Sequence, residues 1–238
     1  MADRENCRRR QPGRAAVVSP SALPGLAVLI SGRGSNLQAF IDACASGELP
    51  AQVSVVISNN PGAAGLQRAA RVGIPTHCID HRDYSTREEF DHALVHELHV
   101  HAVDLVLLAG FMRILTPVLI KPYIGRLLNI HPSLLPKYPG LHTHQRALDS
   151  GDREAGATVH FVTPQLDGGP PVLQARVPVL PGDTADTLAA RVAAQEHIIY
   201  PLAVRWYLQG RLQLDGKRAV LDGRPIPATG IRYSHDLR

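Results

Sequence analysis

A carboxamide and an imidazole stand two residues apart near the middle of the chain, at Asn129 and His131. The apolar residues around them, Leu127, Leu128 and Ile130, are typical of a short buried strand. Alternate residues of a strand project to one face, so the amide and the ring should point together. A hydrogen-bond donor beside a titratable base suits acyl transfer. On these residues alone, a core histidine next to a turn asparagine is the alternative.

A glycine-containing loop follows the apolar run 26–30 and precedes a predicted helix. Its residues Gly34, Ser35 and Asn36 would place free backbone amides at the start of that helix, which favours a phosphate group. The loop lacks the third glycine of the dinucleotide fingerprint and does not match the Walker pattern. An ordinary tight turn between strand and helix explains the local sequence equally well.

Five segments together carry a resemblance to a known family, although each alone is a weak signal. They occupy residues 29–38, 108–115, 129–136, 159–169 and 195–197. In this order they resemble the phosphoribosylglycinamide formyltransferase family, the folate-dependent enzymes of purine synthesis. The resemblance spans about residues 26 to 225. It implies an α/β, Rossmann-like fold and formyl transfer from 10-formyltetrahydrofolate to the amine of glycinamide ribonucleotide.

The resemblance also implies roles for individual residues. The catalytic set would be Asn129, His131 and Asp167, with the carboxylate favouring the charged imidazole. Glycinamide ribonucleotide would be bound by Gly34, Ser35, Asn36 and Glu196. The folate would be bound by Arg87, Met112, Arg113, Ile114, Leu115, Asn129, Thr163, Pro164, Gln165, Leu166 and Asp167.

Residue chemistry alone leaves several of these roles open. Asp167 precedes Gly168, and this pair is most often a plain turn. Arg113 is more simply a solvent-exposed arginine between core residues, and Glu196 is explained equally well as a charge on a solvated helix face. The resemblance assigns no role to Arg33.

Two related enzymes share the core around Asn129, His131 and Asp167. Methionyl-tRNA formyltransferase should carry a C-terminal nucleic-acid-binding β domain, and formyltetrahydrofolate hydrolase an N-terminal regulatory domain. About 28 residues follow Gly210 and about 25 precede Leu26, so we expect neither. A non-catalytic nucleotide- or folate-binding module is the remaining alternative, but such a module would not need the three polar residues.

Composition limits the partners and the compartment. The formal net charge is +4. Four arginines, at positions 8, 9, 10 and 14, lie before the apparent domain, so the domain itself has little excess positive charge for binding nucleic acid. No apolar run approaches the roughly 20 residues of a membrane span, and no apolar signal segment is present. Three scattered cysteines suit a reducing compartment. We therefore expect a cytoplasmic monomer or homodimer that binds small molecules, without nucleic-acid or membrane partners.

The elements that would position these residues alternate between strands and helices. Strands are predicted at 26–30, 52–57, 75–78, 104–109, 127–130, 157–162 and 173–178. Helices are predicted at 37–45, 65–72 and from a capping box at Ser85 to about 99. A last helix is predicted to start at Thr184 and to be kinked or interrupted at Pro201. This alternation predicts an α/β fold with a mostly parallel, twisted sheet and helices on both faces.

The expected domain organisation is a disordered extension over 1–24, a catalytic domain over 25–225 and a C-terminal tail over 226–238. Within the catalytic domain, the half up to about 110 would bind phosphate and the other half folate.

The histidines of the third helix also suggest a metal site. His92, His96 and His99 share a helix face, but His96 and His99 are three apart rather than the four of the zinc-protease helix. A solvated polar face is the preferred interpretation, and we expect no metal.

Overall fold

The structure is a computed structural model that describes residues 23–237. Its strands are β1 (Gly25–Ile30), β2 (Gln52–Ser58), β3 (Thr76–Cys78), β4 (Leu105–Leu108), β5 (Leu127–His131), β6 (Glu154–Phe161), β7 (Pro171–Pro178), β8 (Leu212–Asp215), β9 (Arg218–Leu221), β10 (Arg224–Pro225) and β11 (Ile231–Arg232). Its α-helices are α1 (Ser35–Ala45), α2 (Ala64–Ala70), α3 (Arg87–Val100), α4 (Pro117–Ile120), α5 (Thr143–Asp149) and α6 (Ala185–Leu208).

Eight strands form one sheet in the order β11-β7-β6-β5-β4-β1-β2-β3. The neighbouring strands β3, β2, β1, β4 and β5 all pair in parallel. Strand β6 is antiparallel to both β5 and β7. The three strands β8, β9 and β10 form a small separate sheet. The mostly parallel sheet predicted from the sequence is therefore confirmed.

Helices cover both faces of the sheet, as predicted. Leu26, Val28 and Ile30 of β1 belong to a core cluster with residues of α1, α2, α5 and α6. The alternate residues Ala27 and Leu29 belong to a second cluster with residues of α3 and α4. This division follows directly from the two-residue period of a strand buried on both sides.

Two short helices, α4 and α5, were not predicted, and the start of α3 was predicted one residue early. The expected capping box at Ser85 is wrong. The Thr86 hydroxyl accepts the Glu89 N–H at 3.1 Å, and the Glu89 carboxylate accepts the N–H groups of Thr86 at 3.3 Å and Ser85 at 2.9 Å. Two adjacent capping residues followed by two adjacent glutamates make both registers compatible with the sequence pattern.

Of the expected kink or interruption at Pro201, the interruption is wrong, because α6 continues to Leu208. Proline removes one backbone donor within the helix. The residues on either side of it, Tyr200 and Leu202, are buried, so packing against the sheet holds the helix together through this position.

The segment expected as a C-terminal tail contributes to the main fold. β11 pairs in parallel with β7 at the edge of the large sheet, and the Tyr233 N–H donates to the Gln174 carbonyl at 2.7 Å. Most of the expected N-terminal extension, residues 1–22, lies outside the described residues. Within 23–237, no helix is both long and apolar enough to cross a membrane.

Candidate active site

The predicted amide and imidazole lie at the carboxyl end of β5, in the interior of the large sheet. Asn129 is opposite Leu108 of β4 and His160 of β6, and His131 is opposite Thr158 of β6. Strand pairing on both sides fixes the backbone, so the two side chains keep a defined separation. His131 is only 5% exposed.

Both ring nitrogens of His131 have partners. Nε2 lies 2.9 Å from the carbonyl oxygen of Tyr138, and a carbonyl only accepts, so Nε2 carries a proton. Nδ1 lies 3.4 Å from Oδ2 of Asp167. The loop after β5 and the loop after β6 thus meet at this ring, which brings together the predicted imidazole and carboxylate.

The backbone of Asp167 adopts a left-handed conformation, with φ of 48°. Its Oδ2 also accepts the Gly140 N–H at 2.8 Å, so the carboxylate joins the two loops. The following glycines are required by space, because a Cβ on Gly169 would lie 1.8 Å from the carbonyl oxygen of Phe161. The Asp-Gly-Gly sequence thus lets the loop return tightly against the end of β6.

His160 is a component of the cluster to which the sequence analysis assigned no role. Its Nδ1 lies 2.9 Å from the Phe161 carbonyl and therefore donates, which leaves Nε2 of the neutral ring as an acceptor. Asn129 Nδ2 donates to this Nε2 at 3.0 Å. Burial is the main cause that lowers the pKa of His160 from 6.5 to about 4, so the ring is neutral near pH 7. The primary amide of Asn129 keeps a second N–H for another acceptor.

A small cleft of about 80 Å³ lies beside this cluster. Of the predicted folate-binding residues, it is lined by Arg113, Ile114, Leu115, Asn129, Thr163, Pro164, Gln165, Leu166 and Asp167. The remaining lining residues, which were not predicted, are Leu108, Phe111, Ile120, His160 and Val162. Among the apolar ones, Leu108 ends β4, Phe111 follows it, Ile120 ends α4 and Val162 directly follows β6, an assembly that sequence spacing alone did not reveal.

Two predicted folate-binding residues do not line this cleft in the structure. Arg87 is the first residue of α3 and is exposed. Met112 is 62% exposed, and its backbone N–H donates to the Ser31 hydroxyl at 2.7 Å. Met112 therefore joins the end of β1 to the segment after β4.

The glycine-containing loop leads into α1, which begins at Ser35, two residues before the predicted start. Gly34 has φ of 72° and precedes the helix without a side-chain cap, so the first backbone amides have no side-chain partner there. A Cβ on Gly34 would lie 2.9 Å from the Cα of Gly65, which explains glycine at this position. Ser35, the first helical residue, is exposed.

Asn36 and Glu196, 160 positions apart, are brought together by the packing of α1 against α6. The Asn36 amide donates to the Glu196 carboxylate at 2.7 Å. The pKa of Glu196 is raised above its ordinary value, because burial has a larger effect than the opposing hydrogen bond from Asn36. Both predicted residues thus lie at the carboxyl end of the sheet, beside the start of α1.

Comparison with known proteins gives consistent similarities. A family model described as formyl transferase matches residues 25–204. Phosphoribosylglycinamide formyltransferase of Escherichia coli (strain K12) is 55% identical over 205 residues, which cover 86% of this chain and 97% of that protein. The trifunctional purine biosynthetic protein adenosine-3 of Homo sapiens is 48% identical over 189 residues, 79% of this chain and 19% of that protein.

A solved structure extends the similarity to three dimensions. Phosphoribosylglycinamide formyltransferase from Coxiella burnetii, in complex with CHES, superposes with a TM-score of 0.85 at 46% identity. The match covers 89% of this chain and all of that chain (100%). The family match, residues 25–204, contains every residue of the cleft and of the Asn129, His131, His160 and Asp167 cluster.

Proposed function

The chain belongs to the formyl transferase family, and we propose that it transfers a formyl group to the amine of glycinamide ribonucleotide in purine biosynthesis. The observation that carries this conclusion is the similarity to the Escherichia coli enzyme over 97% of that enzyme's length. Membership of the family implies a folate-derived formyl donor. We infer that the donor is 10-formyltetrahydrofolate.

The reaction needs no covalent intermediate with the protein. The free amine of glycinamide ribonucleotide attacks the formyl carbon, and a nitrogen–carbon bond forms while the carbonyl oxygen becomes an oxyanion. Collapse of this tetrahedral intermediate breaks the bond from carbon to the folate N10. One proton leaves the attacking amine and one reaches the departing nitrogen, so the products are formylglycinamide ribonucleotide and tetrahydrofolate.

The proposed catalytic groups are Asn129, His131 and Asp167. The free N–H of the Asn129 amide and the protonated ring of His131 would stabilise the oxyanion, a type of contact whose loss typically costs ~10²–10³ in rate. Asp167, 3.4 Å from the ring, would keep the imidazole charged and oriented. His131 would also relay the proton, directly or through a water molecule.

The proposed binding sites place the two substrates on either side of this cluster. The folate would occupy the cleft lined by Ile114, Leu115 and Leu166, whose apolar surface suits a pterin ring. The ribose phosphate would bind at the loop of Gly34 and Ser35, where the dipole of α1 attracts an anion. Holding both reactants beside one imidazole supplies the proximity that a bimolecular transfer requires.

Three further residues are proposed to bind the substrates. Glu196 with Asn36 would contact glycinamide ribonucleotide through its polar groups. Arg87, although outside the cleft lining, carries a positive charge that would meet the anionic glutamate tail of the folate.

An assay with both substrates tests the proposal. Purified protein is mixed with glycinamide ribonucleotide and 10-formyltetrahydrofolate, and the appearance of tetrahydrofolate and of formylated ribonucleotide is followed. We expect turnover that depends on both substrates. Release of free formate without the amine would indicate a hydrolase instead, and ligand-induced thermal stabilisation without any product would indicate a binding module.

A further inference from the structure

Three polar side chains meet where strand β3 lies beside the end of helix α3. The Nε2 atoms of His77 and His101 are 3.1 Å apart. His77 Nδ1 is 3.3 Å from Oε2 of Glu97, and His101 Nε2 is 3.9 Å from the same oxygen. In the part of the chain that the structure describes, no other group of three histidine, cysteine or acidic side chains brings its ligand atoms within 4.8 Å of one another.

We propose that His77, Glu97 and His101 form a binding site for a divalent transition-metal ion such as Zn²⁺. Imidazole nitrogens and a carboxylate oxygen are ligands that Zn²⁺ accepts, at about 2.0–2.2 Å. Around a tetrahedral ion at that distance, neighbouring ligand atoms are separated by about 3.3 Å. His101 Nε2 lies 3.1 Å from His77 Nε2 and 3.9 Å from Oε2 of Glu97, and one ligand atom from each of the three residues lies within 4.8 Å of the other two.

The fold arranges these ligands before any ion arrives. Glu97 lies in the last turn of α3 and His101 is the residue that caps its carboxyl end, so the two are four positions apart and on the same side of the helix end. His77 is fixed from the other side, because β3 pairs with β2 opposite Ile57. Leu98, between the two helical ligands, is completely buried and anchors this end of the helix. Only side-chain rotations are needed to direct one atom of each residue at a common centre.

The surroundings favour a cation that exchanges with solvent. The side chains of His77, Glu97 and His101 are 40%, 22% and 19% exposed, so an ion has a path to the site and a water molecule can complete its coordination. The cluster also lies at the carboxyl end of α3, where the helix dipole is negative.

A chain of hydrogen bonds is the competing explanation for the same contacts. His77 would donate from Nδ1 to Glu97, and His101 would donate from Nε2 to Nε2 of His77. That chain requires two contacts only. It leaves the approach of His101 Nε2 to Glu97 Oε2 at 3.9 Å without a role. A metal site gives that approach a role, because one nitrogen of each histidine and one Glu97 oxygen lie within 4.8 Å of one another.

The site was missed in the sequence because its ligands come from two elements. Helical spacing directs attention to His92, His96 and His99, which are all exposed. His77 lies about 20 residues before Glu97 and becomes a neighbour only through the packing of β3 beside α3. None of the three proposed ligands lines the folate cleft, so the ion would join two elements rather than take part in formyl transfer.

The test uses the full chain without a histidine tag, treated with a chelator and then titrated with ZnCl₂ in a calorimeter. We expect one Zn²⁺ bound per chain and a melting temperature that rises with Zn²⁺ but not with Mg²⁺, which prefers oxygen ligands. His77→Gln and His101→Ala should each weaken Zn²⁺ binding about tenfold or more. They should also abolish the rise in melting temperature while leaving formyl transfer intact.

Two controls make the result specific. The double variant His92→Gln with His96→Gln removes exposed histidines of the same helix, and Cys78→Ser removes the exposed thiol next to His77. Both should bind Zn²⁺ as the unmodified chain does. Absence of binding by the unmodified chain would overturn the metal site and leave the hydrogen-bond chain. Loss of binding in either control, with retention in the His77 and His101 variants, would overturn it equally.

Discussion

The carboxylate of Asp167 has two oxygens, and each faces a different histidine. Oδ2 lies 3.4 Å from His131 and accepts the Gly140 N–H at 2.8 Å, while Oδ1 lies 3.8 Å from His160. His160 is kept neutral by burial, so the charge of the carboxylate is directed mainly to His131. One side chain therefore serves as an electrostatic partner and as a fixed point for the loop.

Replacing Asp167 with Asn separates these two tasks. The amide oxygen can still accept the Gly140 N–H, but the negative charge beside His131 is lost. We expect kcat to fall by about 10² or more, with an unchanged melting temperature. Steady-state assays with saturating substrates measure the effect.

Asp152→Asn is the matched control for this substitution. Asp152 also holds the loop, through Lys137 at 2.8 Å and the Tyr138 hydroxyl at 3.0 Å, but it has no contact with His131. Its loss of activity should be much smaller. Equal losses in the two variants would show that the loop, and not the charge, is what matters.

At the level of single residues, the sequence predicted what depends on local spacing. Asn129 and His131 share a face because the period of a strand is two, whatever surrounds it. His160 could not be placed in the same way. Its contact with Asn129 depends on β6 running antiparallel to β5, and a strand carries no local mark of the direction in which it pairs.

The first turn of α3 illustrates how an element is started. The Thr86 hydroxyl and the Glu89 carboxylate satisfy backbone N–H groups that the helix itself leaves open. Ser85 contributes only its backbone N–H to this arrangement. The sequence indicated the existence of the cap but not its register, since both registers offer a hydroxyl and a glutamate three residues later.

Substitutions at these two positions test the register. Thr86→Ala should lower the free energy of unfolding by about 1 kcal/mol, the usual cost of losing an N-cap. Ser85→Ala should change it by no more than a few tenths of a kcal/mol, because the N–H is kept. Urea unfolding at neutral pH measures both. A larger effect at Ser85 than at Thr86 would contradict the observed cap.

The contact between α1 and α6 is the other element-level feature with a functional consequence. Glu196 is nearly buried and accepts a hydrogen bond from Asn36. Glu196→Ala should raise the KM for glycinamide ribonucleotide about tenfold, with a smaller effect on the KM for the folate. Initial rates with each substrate varied separately give the two constants.

Asp186→Asn is a suitable control, since Asp186 is an exposed acid in the first turn of the same helix. It should leave both constants unchanged. If Glu196→Ala raised both KM values equally, the role of Glu196 would be to hold α1 against α6 and not to contact the ribonucleotide.

For the whole molecule, buried histidines make stability depend on pH. The pKa of His160 is about 4 in the folded chain, against an ordinary value of 6.5. The unfolded chain therefore binds a proton in this interval that the folded chain does not. The contribution of His160 to the free energy of unfolding is fully present above about pH 6.5. It is lost as the pH is lowered to about 4, a decrease of about 3 kcal/mol.

His160→Gln tests this dependence. The variant should be less stable at pH 7, but its free energy of unfolding should fall less steeply between pH 6.5 and 4 than that of the unmodified chain. Urea unfolding at several pH values measures the slope, with the exposed His96→Gln as a control. Parallel slopes for the unmodified chain and the His160 variant would contradict the assignment.

The whole architecture was largely predictable, and the exceptions share a cause. Apolar runs and turn residues are local signals, and they predicted β1 to β7, the helices α1, α2, α3 and α6, and the mostly parallel sheet. The continuity of α6 through Pro201 depends on packing against the sheet, and the cleft on which strands become neighbours. Both are properties of distant residues that no local pattern contains.

The hydrogen bond from His131 Nε2 to the Tyr138 carbonyl, at 2.9 Å, has a consequence for how ligands arrive. A reactant that accepts a hydrogen bond from this N–H replaces the Tyr138 carbonyl as the acceptor. One hydrogen bond is lost and one is formed, so the net change in free energy is small. The affinity of the reactant is then hardly affected. The Tyr138 carbonyl must nevertheless move before the reactant can contact Nε2 of His131. We therefore expect changes in this loop to alter the association rates of ligands more than their affinities.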